Sequence, residues 1–213
     1  MTFVSHRKPD HPAWWRAFAR WLFGLFGWKA VGEVPDLPKF VLIGAPHTSN
    51  WDGLLMVGIT IILGFKLQWL GKHTLFKFPF GGFMRFIGGV PVERHVSRNM
   101  TGQAIDAFNA HERFILLIAP EATRSYASHW KLGFYHMAIG AKVPIVLGFV
   151  DYPRKVCGLG PVLYPSGDLD KDFEIIRAFY ADKVGAKPEN QGPVTHRRKS
   201  ASAAATETED SES

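Results

Sequence analysis

Residues 39–53 read KFVLIGAPHTSNWDG, and the fold turns on how this stretch is parsed. The apolar run Phe40-Val41-Leu42-Ile43 predicts a buried strand over residues 39–45. The polar cluster Thr48, Ser49 and Asn50 supplies capping side chains and predicts a helix over residues 50–64. His47 and Asp52 fall on either side of that joint. Five positions on a continuous helix is about 500°, so the two would not share a helical face. They meet if His47 sits on the strand-to-helix turn and Asp52 in the first helical turn. Asp52 would then fix the tautomer of His47 and stabilise the imidazolium formed when His47 takes a proton, the base-and-orienter half of a catalytic triad.

The same alternation continues along the chain. Strands are predicted over residues 66–71, 89–93, 113–119 (RFILLIA, the strongest) and 143–150, with one or two more in 156–164. Helices are predicted over 99–111, 130–141 and 170–184. Residues 72–88, KHTLFKFPFGGFMRFIG, are aromatic and basic and are broken by Pro79, Gly81 and Gly82. Strands alternating with helices predict an α/β fold, a single domain with a mixed central sheet flanked by helices. A length of 213 residues suits one sizeable core and not two. Residues 1–11 are polar and predicted flexible. Residues 186–213 run into HRRKSASAAATETEDSES, poor in hydrophobics, and are predicted disordered. Residues 12–30 then form an N-terminal helix and residues 31–185 the main domain.

The single cysteine, Cys157, excludes an intramolecular disulfide and any cysteine-cluster metal site. Residues 1–100 hold 12 Lys and Arg against 5 Asp and Glu, whereas residues 101–185 hold 9 against 9. A basic, aromatic-rich half suits an anionic membrane surface or nucleic acid. No nucleic-acid module is recognisable, and the basic excess tracks the aromatics, so nucleic acid is set aside. In PAWWRAFARWLFGLFGWK, residues 12–29, Trp14, Phe18, Trp21, Leu25 and Trp28 share one helical face, with Arg16 and Arg20 opposite. Tryptophan with arginine on a short amphipathic helix predicts a segment lying in a membrane interface. A helix docked on the protein's own core would use the same residues. The segment lacks the features of a secretory signal peptide. The longest near-apolar run, GLLMVGITIILGF over residues 53–65, has 13 residues, where a membrane span needs about 20. The expectation is a protein that sits on a membrane without crossing it.

Two further constellations carry chemistry. Gly88-Gly89-Val90-Pro91-Val92-Glu93-Arg94 delivers an arginine at a strand end, where a guanidinium fork binds phosphate or is simply solvated. Ala119-Pro120-Glu121-Ala122-Thr123-Arg124-Ser125 follows the strongest strand and crowds an acid, a base and hydroxyls where α/β folds place their ligands. No G-x-S-x-G motif occurs, and Cys157 lies in KVCGLG with no helix start beside it. A nucleophile would therefore come from the substrate. His73, His95, His111, His129 and His136 have no metal-ligand spacing and are read as surface or core residues.

In this order the constellations resemble the 1-acyl-sn-glycerol-3-phosphate acyltransferase (lysophospholipid acyltransferase) family, over roughly residues 35–165. Its H-x4-D motif corresponds to His47 and Asp52, its glycine-led strand ending in arginine to Gly88 through Arg94, its P-E-G-T-R-S loop to Pro120 through Ser125, and its V-P-I strand to Val143-Pro144-Ile145. The resemblance implies a glycerolipid acyltransferase-like fold and acyl transfer from an acyl-CoA or acyl-ACP (acyl carrier protein) thioester to a lysophospholipid hydroxyl. The acceptor it implies is 1-acylglycerol-3-phosphate, which gives phosphatidic acid. It implies His47 as general base and Asp52 as its partner. It further implies Lys72, Arg94, Glu121, Thr123 and Arg124 as the acceptor pocket, with no metal and no cofactor. The family's membrane-facing helices match residues 12–29 and 53–65, which implies a peripheral protein on anionic lipids at the cytoplasmic face. Two positions depart from the pattern: Pro46 replaces the usual asparagine before the histidine, and Ala122 replaces the loop glycine. Both leave the acceptor open, whether a lysophospholipid, an amino-acid lipid or a glycolipid. A thioesterase would keep His47 and Asp52 without needing Lys72, Arg94 and Arg124, and a non-catalytic membrane adaptor would have no need of the dyad.

Overall fold

The computed structural model describes residues 8–86, 88–92 and 99–197. Its central strand is β2 (Lys39–Ala45), and the two-residue period of a strand sorts its side chains. Val41, Ile43 and Ala45 enter one core, and Phe40 and Leu42 the other. Its neighbours β5 (Phe114–Ile118) and β6 (Ile145–Asp151) alternate in the same way. Strands buried on both faces read as continuous apolar runs, which is why FVLI and FILLI stood out.

With β1 (Lys29–Val31), β3 (Gln68–Lys72), β4 (Gly89–Val92) and β7 (Val156–Leu163) the sheet has the order β1-β7-β6-β2-β5-β3-β4. Every adjacent pair is parallel except β6–β7, so the expected mixed sheet is present. One face carries α2 (Trp51–Leu63) and, outside it, α1 (Ala13–Leu25). The other carries α4 (Asn99–Ala110), α5 (Gly133–Ala141) and α6 (Leu169–Tyr180). After β3, residues 73–76 make a 3-10 turn and Gly81–Phe86 a short helix, α3, the broken structure that Pro79 and the glycines foretold.

Two boundaries move. The N-terminal helix ends at Leu25; Gly27, at φ 74°, reverses the chain, and residues 29–31 pair with β7 as an edge strand. Residues 186–197 are not a loose tail. Lys187 N–H donates to Thr48 Oγ1 (3.1 Å), Gln191 Nε2 to the Lys183 carbonyl (2.8 Å), and Trp130 N–H to the Thr195 carbonyl (2.8 Å). Gly192 passes so close to Ala127 that a Cβ would lie 1.8 Å from its carbonyl oxygen. Composition pointed to disorder because this strap is held largely by hydrogen bonds, with Val194 as an apolar side chain packed on the core. Residues 198–213 lie outside the described part, as do residues 1–7.

Alpha-1 presents its apolar stripe outward. Trp14 is 70% exposed and Trp21 59%, with Phe18, Leu22 and Leu25 also exposed. The opposite side docks on α2: Ala19 is buried, the Phe23 ring lies against Gly58, and Arg16 Nε donates to the Ile62 carbonyl (3.1 Å). A cation on the last carbonyls of α2 also suits the negative end of that helix.

Candidate active site

The parallel strands β2, β3 and β5 end together, and three connections leave from their carboxyl ends: the His47 turn, the 3-10 turn at His73, and the Pro120–Ser125 loop. In parallel sheets this edge gathers ligand-binding loops. The His47 turn is tied by the first turn of α2 and, from the capping cluster expected in the sequence, by Ser49. Asn50 makes no side-chain cap; the Ser49 hydroxyl takes the Trp51 N–H (3.2 Å), and the Asp52 carboxylate reaches back over the turn. Asp52 Oδ2 accepts the backbone N–H groups of Thr48 and Ser49, both at 2.8 Å, and lies 3.4 Å from His47 Nδ1. Its Oδ1 accepts the Tyr152 hydroxyl at 2.7 Å.

Asp52 is only 2% exposed. Burial pushes its carboxyl pKa up, but the bonds from His47, Tyr152, Ser49 and Thr48 outweigh burial and hold it below the ordinary value. The carboxylate is therefore charged at neutral pH and shares an oxygen edge with the imidazole. His47 is part exposed, its side chain 29% accessible.

Glu121 packs against the same turn. It is buried beneath the turn, where Oε1 accepts the His47 backbone N–H (3.0 Å) while Oε2 has no partner. Burial raises its pKa, against the opposing hydrogen bonds from its own and the His47 backbone and the opposing charge of His47. Glu121 thus ties the His47 turn to the loop that follows β5.

A cavity of 620 Å3 opens over the dyad, lined by His47 and Asp52. Thr123, Arg124 and Ser125 form its polar side; Met56, Trp69, Leu70, Leu117 and Val150 form its apolar side. Ala122 also lines it, at φ 57°. An alanine in this left-handed conformation is strained where a glycine would not be. The cavity joins an imidazole beside a buried carboxylate, a guanidinium with hydroxyls, and an apolar surface.

A family model described as Acyltransferase matches residues 33–147, which spans the His47 turn, the cavity loop and the strand β5 between them. The chain belongs to the acyltransferase family. Among curated acyltransferases, it is similar to the 1-acyl-sn-glycerol-3-phosphate acyltransferases of Haemophilus influenzae, 27% identical over 159 residues covering 68% of this chain and 63% of the relative, and of Escherichia coli, 29% identical over 151 residues covering 67% and 60%. The matched part thus spans about three fifths of each relative's length. The crystal structure of the 1-acyl-sn-glycerophosphate acyltransferase PlsC from Thermotoga maritima shares the fold, with a TM-score of 0.53 over 78% of this chain and 76% of that one, at 18% identity.

Of the residues expected in the site of this acyltransferase-family chain, His47, Asp52, Thr123 and Arg124 line one cavity. The backbone of Lys72 closes β3, paired with Val92, at the same edge of the sheet. Arg94 lies outside the described residues. Sequence reading missed Tyr152, 100 positions from Asp52. Its only mark was an aromatic residue in the short DYPRK link between two predicted strands.

Proposed function

We propose that the chain is an O-acyltransferase that moves a fatty acyl group from an acyl-CoA or acyl-carrier-protein thioester to the hydroxyl of a lysophospholipid, with 1-acylglycerol-3-phosphate as acceptor and phosphatidic acid as product. The observation that carries this reading is His47 held 3.4 Å from the buried Asp52 carboxylate, in a cavity lined by both a cationic side chain and apolar ones. The far nitrogen of His47 takes the acceptor's hydroxyl proton as its oxygen attacks the thioester carbonyl. Asp52 stabilises the imidazolium. Collapse of the tetrahedral intermediate breaks the C–S bond, leaves the C–O ester, and returns the proton from His47 to the departing thiolate. Arg124, with Thr123 and Ser125, suits the acceptor phosphate, with Arg94 and Lys72 proposed as further cations. The apolar wall suits an acyl chain. Nothing in the scheme requires a metal or a cofactor.

A peripheral position on anionic lipid at the cytoplasmic face belongs to the same proposal. The outward aromatic stripe of α1 supports it, together with exposed Trp51, Leu54 and Val57 on α2, because exposed apolar surface of this extent marks a contact surface. Among the described residues, no helix is long and apolar enough to cross a membrane.

The test is thiol release from a long-chain acyl-CoA, with and without lysophosphatidic acid, for wild type and His47→Ala. Release that requires both acceptor and His47, with phosphatidic acid formed, is the expected result; His47→Ala should lose roughly a thousandfold or more in kcat. Release without acceptor would make the protein a thioesterase. Full activity in His47→Ala would end the general-base reading.

A further inference from the structure

The second oxygen of Asp52 has a dedicated partner. Oδ2 is occupied by the Thr48 and Ser49 N–H groups, whereas among the described residues Oδ1 is held by the Tyr152 hydroxyl. Tyr152 sits in the tight turn between β6 and β7, and that turn is fixed on several sides. Its N–H donates to the Val184 carbonyl (2.9 Å), and its own carbonyl accepts the Lys155 N–H (3.1 Å). Lys155 Nζ in turn donates to the Phe26 carbonyl (3.1 Å). The Trp28 ring meets the Tyr152 ring edge-on, centroids 5.0 Å apart, a favoured aromatic geometry. Burial, reinforced by the bond to Asp52 and its charge, pushes the phenol pKa well above its ordinary value, so the hydroxyl remains a donor across the working pH range.

Resting on the acyl-transfer reading, we propose that Tyr152 is a positioning residue for the reaction: its hydroxyl pins Oδ1 so that the Asp52 carboxylate cannot rotate away from the His47 imidazole. A carboxylate pinned through both oxygens has one orientation. Pinned through Oδ2 alone, it is free to twist about its Cβ–Cγ bond and to lose its alignment with Nδ1. The ring of Tyr152 touches no reacting atom in this scheme, and its effect passes through Asp52.

Tyr152→Phe in the full chain keeps the ring on Trp28 and removes the hydroxyl, with its bond to Asp52 and its contact with the Ser49 side chain. The expected result is a fall in kcat of about tenfold to a hundredfold, the range for losing a hydrogen bond to a charged partner, with KM within about twofold. The titration midpoint of the Asp52 carboxyl, followed by carbon NMR on the protein without substrate, should move up. A kcat within twofold of wild type, a fall in kcat with an unmoved midpoint, or an effect confined to KM would each overturn the proposal. If Tyr152→Phe does not fold, replacing Tyr152 by 3-fluorotyrosine strengthens the donor without altering the packing. The midpoint should then move down, and an unmoved one overturns the proposal. The NMR midpoint needs no turnover. A wild-type protein inactive with every donor and acceptor would end the acyl-transfer reading, and the midpoint would still decide whether Tyr152 controls the carboxylate.

Discussion

Replacing Asp52 by asparagine changes one atom and tests both the fold of the turn and the chemistry placed on it. The carboxylate accepts three hydrogen bonds of 2.7–2.8 Å, from Thr48 N–H, Ser49 N–H and Tyr152 Oη–H. Asparagine keeps the first two only with its amide oxygen at the Oδ2 position. Its NH2 group then meets Tyr152, which must turn its hydroxyl round to accept. Bonds to a charged acceptor contribute about 1.5–3 kcal/mol each and neutral ones about 1, so three such conversions cost about 3 kcal/mol. Relief from burying a charge offsets part of this, leaving a net loss of about 2 kcal/mol. The loss depends on pH. A carboxyl whose folded pKa is depressed contributes stability above its unfolded value, 3.8 here, and loses it as pH falls through the folded value. Urea unfolding should therefore separate wild type and Asp52→Asn by about 2 kcal/mol at pH 7 and bring them together as pH falls below 4. The same variant should lose about 10³-fold or more in kcat, since a neutral partner no longer stabilises the imidazolium. An Asp52→Asn protein as stable as wild type at pH 7, or a gap that widens in acid, would refute this account of the turn.

Glu121 should show the opposite sign. Its folded pKa is raised, so its contribution is fully present below its unfolded value, 4.5, and is lost as pH rises through the folded value. Glu121→Gln should be at least as stable as wild type at neutral pH, with the difference vanishing near pH 4; a marked loss at pH 7 in urea unfolding would contradict this. Ala122→Gly removes left-handed strain at φ 57° and should raise stability by about 0.5–1 kcal/mol, seen as a higher melting temperature; a lower one would show that the loop is not strained. Trp14→Glu combined with Trp21→Glu should leave stability within about 0.5 kcal/mol, since both side chains are exposed, yet release the full chain from anionic vesicles in flotation. Undiminished flotation would remove α1 from the membrane contact.

The sequence alone determined whatever is local. FVLI and FILLI could be parsed as strands because both their faces are buried, and the polar cluster after them announced a strand-turn-helix. His47 and Asp52 are five residues apart, so the turn that joins them also brings them together. The Pro120–Ser125 loop was placed correctly at a strand end, and Thr123 and Arg124 do face the cavity.

What composition could not supply was the direction in which a face points or the partner found across the sheet. The stripe on α1, predicted to face a membrane, would also have served a core, and the docking of Phe23 and Arg16 on α2 turns it outward. Residues 186–197 looked disordered because backbone bonds leave no trace in composition. Glu121 and Tyr152 reach the His47 turn from 74 and 100 positions away. They do so because β5 and β6 flank β2, which puts the loop after β5 beneath His47 and the turn after β6 against Asp52. Strand order is set by how all the helices and strands bury their apolar faces together, a cooperative property of the whole chain that no single segment encodes.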